Sequence, residues 1–131
     1  MHETIHPEGW APAIGYANGI VASGRTLYLG GQIGWNAEQH FESDDLVDQF
    51  RQTLENIVAI VEAAGGQPDH IVSMTWFMTD LEDYASRLKD IGRTYRSIIG
   101  KHFPAMAVVE VSRLVEPRAK VEIQAIAVLP D

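Results

Sequence analysis

Glu122 sits in the segment KVEIQAIAVL near the end of the chain, between Val121 and Ile123. Alternation along a strand sends those apolar neighbours to one face and leaves Glu122 on the other, with Lys120 and Gln124. Two readings of that row stand: a solvated polar edge, or a cleft in which one carboxyl moves protons. Other familiar chemistries find less support. There are no cysteines, which excludes thiolate nucleophiles, thiolate metal sites and disulfides. His2 and His6 have i, i+4 spacing, but MHETIHPEGW has no helical period, so no metal site is expected there. His40, His70 and His102 are scattered, and His102, just ahead of FPAM, reads as a surface-loop residue. GGQIG, residues 30–34, lacks the Lys-Ser/Thr ending of a phosphate loop and leads into no helix. No Ser-His-Asp order stands out.

The elements that must position these residues follow from hydrophobic spacing. Residues 1–12 read as an N-terminal arm of a single domain spanning 1–131. IGYANGIVA, from Ile14 to Ala22, is a short strand interrupted by Gly15 and Gly19, and TLYLGGQIG is a second strand ending in glycines. Leu46, Phe50, Leu54, Ile57, Val58 and Val61 recur at spacings of three and four and define a helix. Ser43, Asp44 and Asp45 are its N-cap candidates, and Gly65-Gly66 stops it. His70–Thr79 is β-branched and aromatic, a strand. Asp80 caps a second helix with Tyr84, Leu88, Ile91, Tyr95 and Ile98 along one stripe; Gly92 inside it costs about 1 kcal/mol relative to alanine. AMAVVEVSRL and KVEIQAIAVL are the last two strands. The order β-β-α-β-α-β-β gives an α+β fold, a mixed sheet with two helices on one face. The apolar last strands call for burial on both faces, which self-association would supply.

Composition bounds the function. A hydrophobic fraction of 46% in 131 residues supports one core. A formal net charge of −8, with no run of consecutive Lys or Arg, opposes nucleic-acid binding. No apolar run reaches membrane-spanning length, so a soluble, cytoplasmic protein without a membrane partner is expected. Trp10, Trp35 and Trp76 read as core or interface residues, with Trp35 also placed to wall a cleft after GGQIG.

GGQIG after a strand, the helix LENIVAIVEAAGG, the strand DHIVSMTWFMTDLEDY, then FPAMAVVEVSRL and VEIQAIAV follow one another in an order that resembles the Rid/YjgF family of reactive-intermediate deaminases, formerly called the endoribonuclease L-PSP family. The resemblance runs from about Ile14 to Val128. It implies a chorismate-mutase-like fold and a homotrimer whose sheets form a central barrel, with clefts between subunits. It further implies hydrolysis of enamines or imines to a carbonyl compound and ammonia, with no metal and no cofactor.

Carried over residue by residue, the resemblance makes Glu122 the catalytic glutamate that handles the proton and positions water. Tyr16 lines the cleft, Gly31 brings backbone close to a ligand, and Arg113 is structural. Three positions depart from the family pattern: Gly30 replaces a serine, Met106 an arginine and Val108 a cysteine. The second helix is also about one turn longer, which marks a divergent subgroup. Arginine binds a carboxylate through a planar fork, whereas methionine offers an apolar, adaptable side chain. A carboxyl held in an apolar cleft still suits general acid work near neutral pH. The expected substrate is therefore an enamine or imine other than a simple amino-acid-derived one, unless Arg25, Arg93, Arg96 or Lys101 replaces the lost cation. The alternative is a non-catalytic trimer binding a small molecule in the same clefts; a ribonuclease or translation inhibitor stands third.

Overall fold

The computed structural model describes residues 2–131. Strands β1 (His2–Ile5) and β2 (Gly19–Ala22) pair antiparallel as a separate ribbon. Strand β3 (Arg25–Ile33) leads to helix α1 (Leu46–Ala63), and a 3₁₀ turn over Pro68–His70 precedes strand β4 (Ile71–Met78). Helices α2 (Leu81–Ser86) and α3 (Leu88–Ile98) follow, then strands β5 (Ala105–Glu110) and β6 (Val121–Leu129). The main sheet has the order β3-β6-β4-β5, antiparallel except for the β4–β5 pair. The mixed α+β architecture is the expected one.

Helix α1 forms as its spacing dictates. Leu46, Phe50, Leu54, Ile57 and Val61 are buried against Met74, Trp76, Ile123 and Ala125 of the sheet. Among the three cap candidates the fold uses Asp45, whose carboxylate accepts from the Asp48 backbone N–H. At the other end Gly65 N–H donates to Glu62 O and Gly66 N–H to Val61 O, a Schellman closure with Gly65 at φ 87°. Buried Gln49 joins α1 to the loop before β6: its Nε2 donates to Ser43 O and Arg118 O, and its Oε1 accepts from Lys120 N–H.

Three elements differ from the sequence expectation. The strand expected over Ile14–Ala22 forms only over Gly19–Ala22 and pairs outside the main sheet. The start of the N-terminal arm is strand β1, and its two histidines serve the backbone. His2 Nε2 donates to His70 O, while His6 Nε2 donates to Trp10 O as its Nδ1 accepts from Asn18. The second helix is broken at Arg87 (φ −121°, ψ 22°). The Arg87 guanidinium lies 2.9 Å from Asp45, 3.7 Å from Asp90 and 4.0 Å from Asp83, so it ties the break to the N-terminal cap of α1.

All helices lie on one side of the sheet. The other side carries Tyr28, 76% exposed, and Val109, 40% exposed, with Glu122 and Gln124 between them across the sheet. No described helix is long and apolar enough to cross a membrane.

Candidate functional site

The sequence-predicted site residues fall into two groups on opposite faces of the sheet. The first group is built around Glu122. Val121 and Ile123 are fully buried in the core, so Glu122 projects from the helix-free face. It lies opposite Ile33 of β3 and Phe77 of β4. The β3–β6 ladder shifts register between Leu29 and Gln32, a bulge formed at Gly30-Gly31. There the backbone of Gly31 comes so close that an added Cβ would overlap the Glu122 carboxylate. Glu122 is half-buried and makes no salt bridge or side-chain hydrogen bond among the described residues. Gly30 has open space where its side chain would be.

The glycines of GGQIG thus have different duties. Gly34 is a packing glycine: a Cβ there would come within 2.7 Å of the Gln49 backbone in α1. Trp35 faces Phe41 at a ring separation of 5.9 Å and lines no part of the cavity described next.

The second group surrounds a cavity of about 630 Å³ between strand β5, helices α2 and α3, and the segment Ile14–Tyr16. Met106 and Val108 lie beside Met74 and Trp76 in the parallel β4–β5 register, so they face the helix side. Tyr16 closes the cavity from the other edge, held by the Ala17 N–H donating to Pro104 O. The floor is aromatic: Trp76 is edge-on to Tyr84, and Tyr95 stacks on Phe103 at 5.6 Å. Burial raises the Tyr84 hydroxyl above its usual range and the Tyr95 hydroxyl well above it, so both stay protonated. Tyr95 Oη donates to His102 O at 2.6 Å, and His102 Nε2 donates to Ile71 O, which commits that histidine to the backbone. Trp76 Nε1 is buried with no acceptor among the described residues.

Arg96 of α3 also lines this cavity, and neither Arg25, Arg93 nor Lys101 does. Sequence alone gave no reason to prefer it among the four cations, because their placement depends on how α3 lies over β5. The lining holds no Asp, Glu or His. Among the described residues no cluster of three or more His, Asp or Glu could hold a metal ion.

Within one chain the two groups remain apart. Met106 lies two strands from Glu122, about 10 Å, and about three residues along, a further ~10 Å, on the other face.

The family model described as Endoribonuclease L-PSP matches residues 8–129. The chain belongs to this family, the Rid/YjgF proteins. A 2-iminobutanoate/2-iminopropanoate deaminase of Salmonella typhimurium is 41% identical over 132 residues, covering 98% of both chains. A RutC family protein of Pasteurella multocida is 40% identical over 128 residues, again covering 98% of both. Among solved structures, the Rid family protein YyfB from Yersinia pestis superposes with a TM-score of 0.87 at 28% identity over 98% of each chain. The YjgF gene product of Escherichia coli gives 0.69 at 40% identity, covering 96% of this chain and 98% of its own. Backbone agreement therefore does not simply track identity across these Rid proteins.

Proposed function

We propose that this Rid protein hydrolyses a reactive enamine or imine to a carbonyl compound and ammonia, in a centre completed between neighbouring copies of the chain. The observation that carries the reading is Glu122: a half-buried carboxylate over the Gly31 backbone, with no structural partner among the described residues. An acid that stabilises nothing around it is free to move protons. Protonation of an enamine carbon gives an iminium ion, and an imine is protonated on nitrogen. Water then adds to the carbon and gives up a proton to the carboxylate. The tetrahedral aminoalcohol takes that proton on nitrogen and expels ammonia as its hydroxyl proton returns to the carboxylate, leaving the carbonyl and the acid ready for the next turnover. The deaminase relatives act on 2-iminobutanoate and 2-iminopropanoate by name. Here Met106 stands where the family resemblance calls for a carboxylate-binding arginine, so the preferred substrate is a different one.

The uncovered sheet face supports assembly, with a homotrimer as the expected form. A neighbouring copy would bring its Glu122–Gly31 face to the Met106 edge, which one chain alone does not do. Glu122→Gln should lower ammonia release from in-situ generated imines by about 10²–10⁴-fold with the melting temperature unchanged. Full activity in that variant would remove Glu122 from the chemistry.

One observation favours the second reading, a non-catalytic small-molecule binding protein: the cavity has no acid in its own wall. Ligand-dependent thermal stabilisation without turnover across a broad imine panel would establish it. The net charge of −8 gives no support to the ribonuclease activity in the family's name.

A further inference from the structure

We infer that the cavity is a specificity pocket for a bulky aromatic monocarboxylate, with Arg96 of α3 as the carboxylate anchor in place of the cation that Met106 does not supply. As a statement about substrate it rests on the proposed hydrolysis; as a statement about binding it stands on the cavity alone.

Three observations converge. Arg96 lines the cavity and has no carboxylate within 4 Å among the described residues, whereas Arg87, Arg93 and Arg118 are all paired. Its i−4 neighbour on the helix is Gly92, which lines the same cavity. Gly92 is in the helix interior, has no positive φ, and a Cβ there would meet nothing within 4 Å. Neither backbone conformation nor packing explains a glycine at that point. What the missing side chain does is keep the space beside Arg96 open. Finally, the far wall is aromatic, with Trp76 edge-on to Tyr84 and Tyr95 stacked on Phe103.

The ligand class follows from this arrangement. In the single chain the cavity offers about 630 Å³ before any neighbour adds to its wall, and the surfaces between Arg96 and the floor are rings and aliphatic chains. A planar aromatic body packs against such rings in offset or edge geometry. One cation in a chain of net charge −8 suits a monoanion and disfavours a phosphate dianion. Guanidinium and carboxylate pair through two charge-assisted hydrogen bonds.

The test reads binding without turnover, so its outcome does not depend on whether Glu122 performs hydrolysis. Phenylpyruvate, its amide and pyruvate are titrated into the full-length protein by calorimetry, with Trp76 fluorescence as a second signal. Phenylpyruvate should bind at least about 10-fold more tightly than the amide or pyruvate. Arg96→Gln should remove the preference for acid over amide while keeping affinity for the amide. Gly92→Leu should abolish binding of both aromatic compounds, and Gly92→Ala should weaken them while raising the melting temperature. Equal affinity of acid and amide in the unmodified protein overturns the assignment. So does an unchanged acid-to-amide ratio in Arg96→Gln, or pyruvate binding as tightly as phenylpyruvate.

Discussion

Gly31 and Gly34 lie three residues apart, and the same substitution at each should do opposite things. At Gly31 the atom in the way is the end of the Glu122 side chain, which can rotate aside. Gly31→Ala should therefore leave stability nearly unchanged and lower kcat by displacing the carboxylate. At Gly34 the obstacle is the Cα, Cβ and carbonyl oxygen of Gln49 in the first turn of α1, which cannot move alone. Gly34→Ala should cost about 1–3 kcal/mol in urea unfolding by forcing helix and strand apart. Loss of stability at Gly31 with full activity would contradict the placement of Glu122. The type and spacing of GGQIG signalled a glycine-rich strand end. Only the family resemblance singled out Gly31; spacing alone did not show which glycine faces the carboxylate and which the helix, because both distances are set across the sheet and between layers.

At the scale of elements, Asp45 links three helices by capping α1 and binding Arg87 at the α2–α3 break. The Arg87 hydrogen bond holds the Asp45 carboxyl below its usual value, with a smaller opposing effect of burial. A depressed carboxyl adds stability that is fully present above its unfolded value near 3.8 and is lost as pH falls through the lower folded value. The melting temperature of Asp45→Asn should therefore trail the unmodified protein at pH 6 and approach it at pH 2–3. A difference that stays constant with pH would show that the carboxylate charge contributes nothing. Helix α1 could be read from six apolar positions because its stripe faces one core. The break at Arg87 could not: the apolar stripe runs on through it, and the partner that fixes it is 42 residues away. Strand β1 was equally hidden, since three of its four residues are exposed and its ladder partner lies beyond Pro7, Gly9 and Pro12.

For the whole molecule, the decisive fact is that Glu122 and the cavity occupy opposite faces of one sheet. If a neighbour completes the centre, two differently disabled chains should rescue each other. Glu122→Gln keeps the cavity and lacks the acid; Gly92→Leu keeps the acid and lacks the cavity. Each alone should be inactive. In a ring assembled at random from equal amounts of both, a given centre takes its cavity from an intact donor half the time and its acid from an intact neighbour half the time. Co-expression should then recover about a quarter of the unmodified activity, whatever the number of copies in the ring. A centre contained within one chain would recover none, because every chain in the mixture carries one lesion. The two outcomes differ qualitatively, so the measurement needs only co-purified protein and an ammonia assay. Recovery would place the Arg96 pocket and the Glu122 carboxylate in the same working cleft, which neither variant can show by itself.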